Sequence, residues 1–550
     1  MTERMNQYAR AVAVGVLIAI IGVAAFGRFY TARFSGLVST TAVEAAEVAH
    51  QLRYDHGMTT KVIHPLSLAY ATPSGDNTVP QTRRAPLYPV MLSALFRVRG
   101  GGDASVAMFN GLMFLLTGWM VYVIGRMLWD RLIAILAVIT YFISIAGIGA
   151  ALSATGASLA GLFLMIGLWA ALRGRVAASD EDAPDTPPLR WPVIAGAALG
   201  LAWLSGMTSL MLLIPLAVLA TAAGASRWRQ VAVLAVTTAI IITPWLAWNW
   251  HATGSPAPAL ATYELITHTQ TYPGASVYRT MPAEVGSPVA FAMSHPREML
   301  RKVGEGMAML YRGGPEQFTP YLFPFFILGA FIFGGGSLQR SLWRVVVAMF
   351  ALQALSISLW GRDLNGLQVL VPVGLCLSVA ALVQALRRTD SKRWTRIAIG
   401  AVIAALVIFP TASSAILGGK APTDPALVDM QILRNILAED AVVATDMPAA
   451  AGWYAGLATV GLPEHPAALA EIARSGADPD YIYLSRSMLR NPTGEWARIA
   501  AGGATEEEAA LMGRPIALTG EDQEQMIFVF ERHEKRAPDV IIRSPQSVEG

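Results

Sequence analysis

Charge is scarce in this chain. Asp, Glu, Lys and Arg make up 14% of its 550 residues, against 54% hydrophobic ones, with a mean hydropathy of +0.47. That balance excludes an ordinary soluble protein and describes a polytopic α-helical membrane protein. Cysteine is nearly absent as well: the single Cys376 excludes an intrachain disulfide framework and any cysteine-built metal cluster. No internal repeat is visible, which counts against a transporter assembled from repeats. The net charge of +3 is too small to suggest a nucleic-acid partner.

What is present is a series of apolar runs. Those long enough to cross a hydrocarbon core of roughly 30 Å fall near 9–27, 104–125, 131–151, 154–172, 191–205, 207–223, 230–249, 319–336, 342–360, 366–386 and 395–416. About eleven spans are expected. The first follows Arg4 and Arg10 and reads as an uncleaved anchor. The divisions at Ser153 and in "LSGMTS" must turn within few residues. The arginines test them: Arg126, Arg131, Arg173, Arg175, Arg190, Arg227, Arg229, Arg340, Arg344 and the "RRTDSKRWTR" segment all fall on one side of an eleven-span arrangement. This positive-inside bias predicts a cytoplasmic N-terminus.

Three segments then lie outside: a first loop (28–103), a second (250–318) and everything after 417. The apolar "APLYPVMLSALF" is too short to span and suits an interfacial or re-entrant helix. "VAASDEDAPDTPP" reads as a flexible cytoplasmic linker. From about 420 helix and strand signals alternate, "PALVDMQILRNILAED" and "HPAALAEIARSG" as helices, "AVVATD", "DYIYLS" and "QMIFVFER" as strands. The chain therefore divides into a transmembrane part (1–417) and a small extracytoplasmic α/β domain (418–550). That domain has no G-x-G-x-x-G or P-loop spacing.

Charged side chains are nearly missing from the middles of the spans, where each costs roughly 2.5–3.5 kcal/mol to insert. This argues against an ion path. Ionisable residues gather instead in the first loop, "STTAVEAAEVAHQLRYDHGMTTKVIHPLSLAY", and around "WGRDLNG". That placement suits a reaction at the level of the lipid headgroups.

A first span, an acid-bearing helix after it, a Gly-x-Thr-Thr turn and "RRAPLYPVMLSALF" resemble the start of GT-C glycosyltransferases that use polyprenyl-phosphate sugars. The similarity is to the branch of protein O-mannosyltransferases, aminoarabinose transferases and lipopolysaccharide core galacturonosyltransferases. "ITPWLAWNWHATGSP", "GRDLNGLQVLVPVGL" and "VATDMPAAAGWYAGLATVGLP" resemble later segments of that branch. The resemblance implies a GT-C-like fold and an inverting transfer from a polyprenyl-phosphate-sugar donor to a lipid, glycan or protein acceptor at the outer face of the cell membrane. An outer-loop carboxylate takes the acceptor's proton and cations hold the departing phosphate.

On that basis Glu44 is the first candidate for the base, and Glu47, one turn further on, the second. Two carboxylates so placed raise one another's pKa when partly buried. The competing reading makes them ordinary acids near the start of a surface helix capped by Ser39 or Thr40. Arg83, Arg84 and Arg362 are the candidate phosphate ligands, with snorkelling at the interface as the alternative for the first two. His64, Tyr88, Trp245, Asn249 and Asp363 are expected to shape the site, Asp363 by pairing with Arg362. His50 and His64 also read as packed loop histidines. No cofactor is predicted, and with no Asp-x-Asp in the outer loops no metal ligand is assigned.

The chain departs from the family pattern in three places. Thr41-Ala42 stand where the usual acid begins the helix, Trp248 replaces an arginine, and "AHQ" replaces Ala-Arg-Asn. These departures keep open a second reading, a catalytically silent GT-C-like scaffold or binding protein. A transporter comes third.

Overall fold

A computed structural model describes residues 2–178, 189–221, 227–317, 319, 321–332, 336–389, 392–416, 425–489, 495–519 and 526–533. The chain forms a helical bundle with a small sheet-containing domain near its C-terminus. The linker expected around "SDEDAPDTPP" and the boundary expected at 417/418 lie outside the described residues.

Among the described residues seven helices are long and apolar enough to cross a membrane: Ala13–Arg33, Asp103–Leu128, Ala157–Ala178, Arg227–Thr253, Ser337–Gly361, Val371–Arg388 and Arg393–Pro410. The pair Arg131–Ile143 and Ile145–Ser153, bent by 52° at Ser144, is long and apolar enough only when the two helices are taken together. Three expected runs form shorter helices. Arg190–Ser205 has 16 residues, Leu213–Ala220 follows a 3-10 turn at Met207–Leu212, and Phe323–Ile332 has 10 residues.

The interior is a continuous apolar core in which Phe114, Tyr141, Phe142, Leu164, Leu168, Trp343 and Met349 are all buried. Helices Arg227–Thr253 and Arg393–Ile416 stand at its rim and turn Ile240, Trp250 and Phe409 outward. Side chains of that kind are stable outside the core when hydrocarbon covers them. The expected break at Ser153 is real. Ala154 adopts a left-handed conformation there and Ala157 starts the next helix.

The sheet is six-stranded and not drawn from the C-terminal segment alone. In order across the sheet it runs Val62–Ile63, Ala458–Gly461, Val442–Thr445, Tyr481–Tyr483, Met526–Glu531 and Arg514–Thr519. The edge strand comes from the first loop and pairs in parallel, Val62 beside Thr459 and Ile63 beside Val460. The two last-named strands run antiparallel and complete the other edge. Further bonds bind the first and second loops to this domain. Lys61 Nζ donates to the Gly456 carbonyl at 2.9 Å, Trp453 Nε1 and the Tyr454 hydroxyl both donate to Asp103, and Arg279 Nε donates to the Leu462 carbonyl.

A two-residue edge strand has too few contacts to stand alone, so its order is borrowed from the domain it joins. A chain ending at 416 is therefore expected to be cleaved between Asp55 and Pro80 about tenfold or more faster than the full chain in limited proteolysis. Equal rates would show that the first loop holds its own conformation.

Candidate active site

Helix Thr40–Arg53 is built from small residues. Ala42, Ala45, Ala46 and Ala49 pack in one cluster with Tyr88, Leu92 and Phe96 of helix Leu87–Arg99. This close packing carries both glutamates inside, each 2% exposed, so the helix is not a solvated surface helix. Ser39 precedes it, yet its side chain makes no capping hydrogen bond.

A carboxylate buried without partners costs several kcal/mol. Glu44 is satisfied on both oxygens: Arg83 Nη1 donates to Oε1 at 2.8 Å and Arg84 Nε to Oε2 at 2.5 Å. Burial pushes its pKa up, but the adjacent Arg83 and Arg84 charges outweigh burial and hold it at about 2. The expectation that the two glutamates raise one another is corrected for Glu44 by these guanidinium groups.

Arg83 also lies over the Tyr278 ring, 4.0 Å from its centroid, and reaches toward Glu264 Oε1 at 3.4 Å. His64 touches Arg83 Nη1 at 3.4 Å. Burial first, and then the Arg83 charge, lower its pKa to about 3, so it is a packed neutral imidazole and no cationic phosphate ligand.

Glu47 has a different fate. Its carboxylate accepts from Gln51 Nε2 at 2.8 Å, from the Lys61 N–H at 3.0 Å and from the Thr60 hydroxyl at 2.5 Å. Burial raises its pKa despite those bonds. It fastens the helix to the strand that follows, and it does not line the neighbouring cavity.

That cavity, of about 340 Å³, opens beside Arg83 and Arg84. It falls near the small end of the roughly 300–1,000 Å³ of small-molecule sites. Its walls come from the places where helices stop. Thr41 opens the first-loop helix, Thr155 sits in the break after Ser153, Ser205–Met207 form the "LSGMTS" turn, and Trp360–Asp363 close another helix. Irregular backbone of this kind is tolerated in a membrane protein where it borders a cavity.

Tyr88 lines the cavity with its ring while its hydroxyl donates to the Ala154 carbonyl at 2.8 Å, which fixes the Thr155 turn. Arg84 reaches the cavity with its terminal nitrogens making no hydrogen bond among the described residues, its Nε alone being held by Glu44.

The remaining expected residues divide. Asp363 lines the cavity but does not pair with Arg362. Its Oδ1 accepts from the Asn365 N–H at 2.9 Å and caps the following turn. Arg362 instead donates to Glu305 at 2.9 Å and to the Lys302 carbonyl at 3.0 Å, behind the wall formed by its neighbours. Its left-handed conformation carries the side chain that way. Trp245 and Asn249 do not reach the cavity. Trp245 stacks on Trp248 at 4.8 Å, and Asn249 donates to the Trp245 carbonyl within the same helix. Trp248 thus fills with an aromatic pair the place where the resemblance expects an arginine.

Sequence reasoning missed Glu264. It lies on the turn Tyr263–Leu265, lines the cavity, and brings its carboxylate so close to Gly361 that a Cβ there would meet Oε2 at 3.1 Å. The turn is held from below by Lys302, 1% exposed, whose Nζ donates to the carbonyls of Glu264 and Leu265 at 2.8 and 2.9 Å. Burial lowers the Lys302 pKa to about 7. The only sequence signal was an acid in "TYELITHTQ", within a loop already expected to share a side with the first. No group of three or more His, Cys, Asp or Glu side chains is placed to hold a metal ion among the described residues.

Comparison with known proteins agrees with this architecture. Residues 83–248 match the family described as dolichyl-phosphate-mannose-protein mannosyltransferase. ArnT from Cupriavidus metallidurans bound to undecaprenyl phosphate superposes with a TM-score of 0.58 at 13% identity, over 94% of this chain and 97% of that one. The apo oligosaccharyltransferase of Archaeoglobus fulgidus gives 0.58 at 15%, over 96% of this chain and 75% of that one. Archaeal AglB from the same organism, in complex with an inhibitory peptide and a dolichol-phosphate, gives 0.53 at 12%, over 94% and 74%. No curated protein matches the chain. The fold is GT-C-like, shared with these membrane proteins.

Two expectations follow for the carboxylates. Glu47→Ala strands three buried donors and is expected to cost about 3 kcal/mol, measured by thermal unfolding in detergent. Glu44→Gln leaves two guanidinium groups without their anion and is expected to cost about 3 kcal/mol or more. Because the folded-state pKa of Glu44 is depressed, that difference is fully present above the unfolded value of about 4.5 and shrinks only as pH falls towards about 2. Wild type and Glu44→Gln should therefore differ by the same amount at pH 5 and pH 8 and converge in stronger acid.

Proposed function

We propose that this GT-C-fold chain is a membrane glycosyltransferase. It takes a sugar from a polyprenyl-phosphate donor at the outer face of the membrane and passes it, with inversion, to a lipid, glycan or protein acceptor. The observation that carries the reading is Arg84. Its Nε is fixed by a buried carboxylate while its remaining donors face a cavity of small-ligand size. A guanidinium held in this way is preorganised for a phosphate and loses little rotational freedom on binding it.

The undecaprenyl phosphate held by ArnT and the dolichol-phosphate held by AglB support the class of donor. The placement of arginines along the sequence supports the outer face. In this reading Glu44 is the anion that sets the arginines in place, and Glu47 is a fastening of the fold. A base in a salt bridge on both oxygens, held near pKa 2, is poorly matched to proton abstraction near neutral pH.

The same locked carboxylate favours a second reading, a scaffold that binds the lipid phosphate without turnover. The two part on catalysis. Purified protein is expected to release undecaprenyl phosphate from at least one member of a panel of labelled undecaprenyl-phosphate sugars given lipid, glycan or peptide acceptors; binding without release across the panel would leave only the scaffold. Arg84→Ala is expected to weaken undecaprenyl phosphate binding by about tenfold to a hundredfold, the contribution of one charge-assisted pair, read by titration in detergent.

A further inference from the structure

The resemblance expects a proton-accepting acid near Thr41 and this chain lacks it there; the geometry points to Glu264, from the second large loop, as the general base of the reaction. The inference rests on the glycosyltransferase reading above and names a residue that reading leaves open.

The cavity wall carries two carboxylates among its lining residues, Glu264 and Asp363. Thr41 faces the same space, so the usual position still borders the site but has no group able to take a proton at neutral pH. Glu44, one turn further on, is 2% exposed and engaged on both oxygens. Glu47 is consumed by three donors and does not line the cavity. Asp363 has one oxygen committed to capping a turn.

Glu264 is differently placed. Its side chain is 20% exposed, its ion pair with Arg83 is a long 3.4 Å, that arginine has a closer partner in Glu44, and the Tyr278 hydroxyl lies beside the Glu264 carboxylate. Its backbone is held firmly, through two main-chain carbonyls bonded to Lys302, while its carboxylate lies against the bare Gly361 backbone. A carboxylate at a cavity wall, carried on a backbone held in place, is positioned as a general base requires.

The step then balances. The acceptor's hydroxyl oxygen attacks the anomeric carbon on the face opposite the phosphate, and its proton passes to a Glu264 oxygen. The bond between anomeric carbon and phosphate oxygen breaks with its electron pair on the polyprenyl phosphate, which leaves as a dianion against Arg84. One negative charge moves from the glutamate to the phosphate, and the new glycosidic bond has inverted configuration. Arg83 lies between Glu44 and Glu264, 2.8 Å from the first carboxylate and 3.4 Å from the second.

The experiment compares full-length wild type, Glu264→Gln and Asp363→Asn. It measures the release of undecaprenyl phosphate from labelled undecaprenyl-phosphate sugars and, separately, the binding of undecaprenyl phosphate itself. Glu264→Gln keeps the size of the side chain. It is expected to lower kcat by about a hundredfold or more with the Kd for undecaprenyl phosphate changed by about twofold or less, which also reports an intact fold. Retention of more than a tenth of the wild-type turnover overturns the assignment. So does a loss of undecaprenyl phosphate affinity that matches the loss of turnover, because the residue would then serve binding. A hundredfold loss in Asp363→Asn alone moves the role to Asp363. If wild type releases undecaprenyl phosphate from no member of the panel, the glycosyltransferase reading itself fails and this assignment with it.

Discussion

The buried Glu44 carboxylate and the consecutive pair Arg83-Arg84 form the contact on which the rest of the site depends. Taking one carboxylate and two guanidinium groups out of water costs several kcal/mol per ion, and their attraction offsets this only with good geometry. Here each oxygen meets its own arginine at hydrogen-bond distance. Because the two arginines are adjacent in sequence, a single anion on the first helix fixes where helix Leu87–Arg99 begins. It also fixes the direction of Arg84 and the height at which Arg83 meets Tyr278. The alanines of the first helix make this possible, since larger residues at 42, 45, 46 and 49 would keep the two helices apart.

Around that contact the chain places its discontinuities together. The breaks at Ser153, at Gly206 and at Trp360–Asp363 lie far apart in sequence, yet all border one cavity. Each leaves backbone polar groups that hydrocarbon cannot satisfy, so their convergence on a cavity inside the protein is energetically consistent. By taking Val62–Ile63 as its edge strand and holding Lys61, the C-terminal domain fixes the segment between the first helix and the arginines. A domain that looks peripheral in sequence is therefore part of the support of the cavity wall.

Much of this was legible in the sequence. Hydropathy gave the helical architecture, although three of the expected spans form helices too short to cross, and the tight turn at Ser153 was visible as an interruption too short to be a loop. Glu44, Arg83 and Arg84 stood out because polar residues are rare in such a chain. Three features were hidden. The partner of Arg83 at Glu264 is 181 residues away, and no local pattern reports such a contact. Glu44 and Glu47 differ by three positions on one helix, and that rotation decides between a salt bridge and a fastening. Arg362 was read correctly as unusual, but its left-handed backbone sends the guanidinium to Glu305.

The departures from the family pattern are coherent when charges around the cavity are counted. The place of the usual acid is Thr41, and the place of an arginine is Trp248, which stacks on Trp245 outside the cavity. One anion and one cation are thus missing together, so the local balance is kept. Behind the cavity wall Glu44 pairs with both Arg83 and Arg84, leaving the terminal nitrogens of Arg84 for a ligand and the Glu264 carboxylate on the opposing loop. A lysine 1% exposed, its pKa lowered to about 7 by burial, is a costly device for fixing one turn. Its cost is understandable if the turn must deliver a carboxylate to a set position, because catalysis by proton transfer is lost when the base moves by about 1 Å.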